Sequence, residues 1–66
     1  MNVLVNGDVR ELPPGATVAV VAELTAAEHA GVAVAVNDTV VPRAAWAATV
    51  LRPGDRVEVL TAMQGG

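Results

Sequence analysis

Two adjacent glycines, Gly65 and Gly66, close the sequence behind Ala62-Met63-Gln64, and the carboxylate they present is its most informative chemical group. With an ordinary pKa of about 3.5 it is ionised at neutral pH and is a poor electrophile. Adenylation with ATP turns one carboxylate oxygen into part of a good leaving group and opens the Gly66 carbonyl to a sulfur or amine nucleophile. Glycine has no β-carbon, so a backbone ending in two of them can thread a channel too narrow for side chains. Met63, Gln64 and Gly65 make up the threaded stretch, with Met63 as adaptable contact surface. The chain has no GxxxxGK[ST] or GxGxxG arrangement to cradle phosphates, so ATP is expected to be consumed by a separate activating protein. No bound cofactor is expected, and the chain is not expected to be an enzyme.

The remaining equipment for chemistry is sparse. There is no cysteine and one histidine, which removes thiol nucleophiles, disulfides and the common zinc frameworks. His29 falls near the end of a predicted helix, where its protonated form interacts favourably with the helix dipole, and no metal site is expected. The net charge is -3, and the four basic residues, Arg10, Arg43, Arg52 and Arg56, form no stripe of the kind nucleic acid requires. The longest apolar stretch, Ala30 to Val36, is far short of the roughly 18 residues of a membrane span, and no basic leader precedes an apolar run. The cytoplasm is the expected compartment. With 53% apolar residues in 66, the chain can build one small core and one domain spanning 1–66, with 62–66 as a flexible tail.

The elements that must position the terminal group follow from turn residues and periodicity. Val3-Leu4-Val5 and the stretch from Val9 flank Asn6-Gly7, which predicts a β-hairpin over 2–12. Pro13-Pro14-Gly15 ends the second strand, and Thr17 is placed to cap a helix from Val18 to about His29. Val18, Val21 and Leu24 are spaced to form its inner face, and Gly31 fits its stop. Val32 to Val36 alternates valine with alanine and predicts a strand ending at Asn37-Asp38. Val40-Val41-Pro42 is expected to be too short for a full strand, and Ala44 to Ala48 around Trp46 suits a helical turn or an irregular segment. Arg52-Pro53-Gly54-Asp55 is a turn before a last strand with Val57 and Val59 inward and Arg56, Glu58 and Leu60 outward.

This order predicts an α+β fold, one helix across a mixed sheet of four to five strands. One helix covers one face. The other carries Leu4 and Leu60 beside Ala33 and Ala35, a docking patch for a partner. Arg43 is placed to pair with an acid or to grip a partner's carboxylate. Trp46, the sole aromatic residue, is expected to pack at the edge of the core.

Taken together, Val5-Asn6-Gly7, Val34-Ala35-Val36-Asn37, Val40-Val41-Pro42-Arg43 with Trp46, Leu51, Gly54-Asp55 and Gly65-Gly66 resemble the ThiS family, bacterial sulfur carriers of thiamine thiazole synthesis with the ubiquitin-like β-grasp fold. Val-Pro-Arg followed by tryptophan is the most specific part. Gly-Asp before a strand and a terminal Gly-Gly are shared with other β-grasp carriers, the molybdopterin synthase small subunit among them. The resemblance implies that an E1-like adenylyltransferase of the ThiF or MoeB type activates Gly66. A sulfur donor such as a cysteine desulfurase then supplies sulfur to form a thiocarboxylate, and a thiazole synthase of the ThiG type receives it. A sulfur carrier without cysteine cannot hold its cargo as a persulfide, which agrees with attachment at the terminal carbonyl. A carrier for molybdopterin or cysteine synthesis, a protein modifier and an interaction module remain alternatives.

Overall fold

The computed structural model describes residues 1–26 and 31–61. Strands β1 (Asn2–Val5) and β2 (Asp8–Glu11) are followed by helix α1 (Val18–Ala26). Strands β3 (Ala33–Val36) and β4 (Thr39–Val41), a 3-10 helix (Arg43–Ala48) and β5 (Arg56–Leu60) complete the order. The five strands form one mixed sheet in the order β2-β1-β5-β3-β4. The last strand is therefore the central one, parallel to β1 and antiparallel to β3.

Turn chemistry explains the two hairpins. Asn6 (φ 50°) and Gly7 (φ 87°) both occupy the left-handed region, as a two-residue turn with the twist of the flanking strands requires. Val5 then pairs with Asp8 and Leu4 with Val9. Asn37 (φ 50°) and Asp38 (φ 72°) repeat the device between β3 and β4. The expectation that Val40-Val41-Pro42 is too short for a strand is corrected here. The tight turn sets the register Val36↔Thr39, Ala35↔Val40 and Val34↔Val41, and a three-residue edge strand forms because β3 supplies the ladder. Pro42 ends it by lacking an N–H.

The helix starts where the sequence indicates. The Thr17 carbonyl accepts from the N–H groups of Val20 and Val21. Val18, Val21 and Ala22 are buried, whereas Leu24, expected on the inner face, is 62% exposed. At 100° per residue, positions 18, 21, 22 and 25 cluster on one stripe and position 24 falls more than a quarter-turn away. The expected helix end near His29 lies outside the described residues. Backbone bonds from Val18 to Thr49 and from Leu51 to Ala16 tie the start of α1 to the segment after the 3-10 helix, in which Leu51 is buried.

The core lies between α1 and one sheet face and is built mainly of valines, with Val3, Val18, Val21, Val34 and Val57 the most deeply buried. Trp46 closes its edge, as expected, and the segment around it adopts the helical alternative, a 3-10 turn. Its indole Nε1 donates to the Val41 carbonyl at 2.9 Å, so the buried ring leaves no polar atom unpaired. Among the described residues no polar or charged side chain is buried, and no helix is long and apolar enough to cross a membrane.

Candidate functional site

The residues expected to carry the chemistry, Met63, Gln64, Gly65 and Gly66, lie outside the described residues. What the structure describes is the strand from which they continue and the surfaces around it. β5 alternates as predicted, with Val57 and Val59 buried and Arg56, Glu58 and Leu60 exposed. Its central place means that it is held on both sides, by β3 as far as Leu60 and by β1 as far as Val57.

The β1 side of that hold has an unusual component. The parallel ladder runs through Leu4 N–H to the Asp55 carbonyl and Asn6 N–H to the Val57 carbonyl, both at 2.9 Å. Beyond Asn6 the chain turns away into β2, which would strand the next edge groups of β5. The Asn6 side-chain amide takes their place. Its Oδ1 accepts from Val59 N–H at 2.8 Å, and its Nδ2 donates to the Val59 carbonyl at 3.2 Å. One side chain thus acts as one more strand residue.

At the opposite end of β5 a polar cluster fixes the entry. Asp55 Oδ2 accepts from Arg52 N–H at 2.8 Å and closes the Pro53-Gly54 turn, while its Oδ1 accepts from Asn37 Nδ2 at 3.0 Å. Asn37 Oδ1 accepts from Arg56 N–H at 2.9 Å. The turn before β5 is therefore bonded to the β3–β4 turn. Arg56 pairs with Asp38 at 3.0 Å, and its hydrogen bond and charge hold the Asp38 carboxyl below the usual carboxylate range.

The sheet face away from α1 has no covering element among the described residues. Cross-strand pairing places Val9, Leu4 and Arg56 in one row, Glu58, Ala35 and Val40 in the next, and Leu60 beside Ala33 in the third. Leu60, Val40 and Val9 are 67%, 70% and 66% exposed, and Leu4 is half-buried. Leu4 and Leu60 thus share this face but stand about 13 Å apart along β5 at 3.3 Å per residue. Arg56 stands beside Leu4 in its row, and the row of Glu58 lies between them and Leu60. Val9 and Val40 were missed as members of the face. The signal for both was the two-residue turns, whose register alone assigns them there.

Arg43 is elsewhere. It begins the 3-10 helix, which packs against α1, and its guanidinium carbon lies 5.0 Å from the centroid of the Trp46 ring. Stacking on the indole restrains the long side chain of this exposed residue. A shallow groove lined by Val5, Arg10, Leu12, Val21, Leu24 and Thr25 separates α1 from the hairpin. Among the described residues no group of three or more metal-ligating side chains comes together.

Comparison with known proteins agrees with this architecture. The family model of the ThiS family matches residues 3–66. The sulfur carrier protein ThiS of Escherichia coli is 32% identical over 66 residues, covering 100% of both chains. The crystal structure of the thiamine biosynthesis protein ThiS from Geobacter metallireducens superposes with a TM-score of 0.81 at 35% identity, again over 100% of both chains. A five-stranded mixed sheet grasping one helix, a match through the terminal glycines and end-to-end likeness to these relatives lead to one conclusion: the chain belongs to the ThiS family of sulfur carrier proteins, with the ubiquitin-like β-grasp fold.

Proposed function

We propose that this protein carries sulfur for thiamine thiazole biosynthesis as a thiocarboxylate on Gly66. The observation that carries the reading is the family match, which spans residues 3–66. An oxygen of the Gly66 carboxylate attacks the α-phosphorus of ATP in an E1-like adenylyltransferase of the ThiF or MoeB type, and pyrophosphate leaves. The outer sulfur of a persulfide on a donor such as a cysteine desulfurase attacks the activated carbonyl carbon, and AMP leaves. A thiol then cleaves the resulting acyl disulfide, releasing the thiocarboxylate and being oxidised to a disulfide with the donor cysteine. A thiazole synthase of the ThiG type receives the sulfur: the acyl–sulfur bond breaks as an oxygen from water or the acceptor substrate bonds to the Gly66 carbonyl carbon, and the carboxylate returns for another cycle. The chain is a co-substrate of these enzymes. Its own residues present the tail and dock.

The uncovered sheet face supports the docking half of this reading. Leu60 and Val40 expose apolar surface near the end of β5 that leads to the tail, and Leu4 and Val9 extend the face. Partners that must reach Gly66 dock on this face, with the stacked Arg43 guanidinium offering a carboxylate-binding contact on the helix side. The adenylating enzyme and the sulfur acceptor therefore compete. Recovery of one ternary complex holding intact carrier and both enzymes would refute that competition.

The test is intact mass with fragmentation after incubation with ATP, the cognate adenylyltransferase and a sulfur donor. Replacing oxygen by sulfur adds about 16 Da, close to the gain from oxidation of Met1 or Met63, so the increment must be localised. An increment on Gly66 that is lost on delivery to thiazole synthase meets the expectation. Delivery only to a molybdopterin- or cysteine-forming acceptor would assign another pathway. An amide bond from Gly66 to a lysine of another protein would identify a modifier. An unmodified Gly66 beside an enzyme active on another carrier would leave an interaction module.

A further inference from the structure

Asn6 meets two demands that the turn alone does not make together. A left-handed φ of 50° asks for Asn, Asp or Gly, and Gly7 beside it completes the turn. Glycine would serve the backbone equally well. Only a side chain carrying both an acceptor and a donor at this reach can pair with the N–H and the carbonyl of Val59 together. Asp offers acceptors and no donor when ionised, and Gly offers neither. The paired residue is also specific in place, because Val59 is the penultimate residue of β5 and stands three positions before the terminal segment 62–66.

We infer that Asn6 is a positioning residue for the carrier tail: its side-chain amide fixes the backbone of Val59 and so sets the direction and register with which the chain leaves the sheet. The inference rests on the carrier reading above. In that reading the carboxylate must arrive at an activating centre inside another protein, at a distance set by the docked body and a short tail. The docked body supplies affinity through the outward face. Tail register determines how often the docked complex is competent, because a misplacement of about 1 Å at a reacting centre can lower a rate on the order of a hundredfold. β3 still holds β5 from the other side, through Ala33↔Leu60 and Val34↔Val59. Loss of the Asn6 bonds is therefore expected to fray the end of one strand and to leave the domain folded.

Two substitutions separate this role from plain stability. Asn6→Gly keeps the left-handed turn and removes both bonds, and Asn6→Asp keeps the acceptor for Val59 N–H and loses the donor. The full chain is assayed for adenylate formation by pyrophosphate exchange with the E1-like partner, at a temperature where each variant is folded by circular dichroism. Amide hydrogen exchange is followed at Val59. For Asn6→Gly the expected result is Val59 exchange faster by about tenfold, with kcat lower by about tenfold and KM within about twofold. Asn6→Asp is expected to fall between Asn6→Gly and the parent, and it carries the test if Asn6→Gly fails to fold. Parental kcat in a folded variant whose Val59 exchanges faster overturns the inference, as does a loss confined to KM. If the parent chain itself is not adenylated, the carrier reading fails and the inference falls with it, an outcome visible without either variant.

Discussion

Replacing Leu60 by aspartate should sever docking while sparing the fold, and the structure sets the size of both effects. Leu60 is 67% exposed, so folding has covered about a third of its side chain. Full burial of a leucine contributes about 1.5–3 kcal/mol, which leaves about 1–2 kcal/mol to be recovered when a partner covers the rest. An aspartate recovers none of this and adds the desolvation of a charge at an apolar contact, so the expected loss in affinity is about 100-fold. The cost to folding is the covered third plus a strand-propensity penalty, together about 1–1.5 kcal/mol. For a domain of this size that lowers Tm by about 5–10 °C. The residue directly opposite is the neutral Ala33, so no like charge faces the new carboxylate across the ladder. Calorimetric titration of the adenylyltransferase with the variant reads the first effect. Thermal unfolding followed by the fluorescence of Trp46, the sole tryptophan, reads the second. The same change at Val59, 7% exposed, should abolish folding and serves as the control for register. A Tm drop above about 15 °C for Leu60→Asp would show that the outward assignment is wrong. Unchanged affinity in a folded variant would show that this face is not where the partner docks.

The remaining predictions address the core edge, the exposed ion pair and the tail. Trp46→Phe removes the 2.9 Å bond to the Val41 carbonyl and part of the ring volume, and should cost about 2–4 kcal/mol in urea unfolding. A cost below about 1 kcal/mol would mean that the indole bond adds nothing to the packing. Asp38 has a depressed carboxyl pKa in the folded chain because Arg56 hydrogen-bonds and attracts it, so its contribution is present above its unfolded value and is lost as pH falls through the lower folded one. The stability difference between the parent and Asp38→Asn should therefore be level near neutrality and shrink below about pH 4, more weakly at high salt because both partners are exposed. Identical pH profiles for the two would refute the pairing in solution. Deleting Gly65 and Gly66 should abolish the mass increment and leave Tm unchanged. Retained function after deletion would favour an interaction module over a carrier.

Much of the local structure was legible because its causes are local. Asn6-Gly7 and Asn37-Asp38 turn the chain through left-handed backbone that few other residues adopt, and Pro13-Pro14-Gly15 stops a ladder for want of N–H groups. The alternation from Arg56 to Leu60 identifies the buried face of β5 because side chains in a strand alternate with period two. β4 was not legible, since Thr39–Val41 has too few residues to signal a strand alone and is one only because β3 lies beside it. Leu24 was misplaced because two buried positions three apart invite a third, while the stripe on α1 runs instead through Ala22.

The site divides along the same line. The proposal of an activated Gly66 carboxylate, threading glycines and an outside activator was drawn from residue chemistry in the sequence. Composition removes the competing chemistries, because a chain without cysteine and with one histidine has few other reactive groups. That the last strand occupies the middle of the sheet, parallel to the first, was decided by the tertiary structure alone. So was the second use of Asn6, whose presence the turn already accounts for and whose bond to Val59 spans 53 residues of sequence. Pairing between distant strands depends on which faces bury together, a property of the whole core, whereas a turn or an alternating strand is determined by sterics within a few residues.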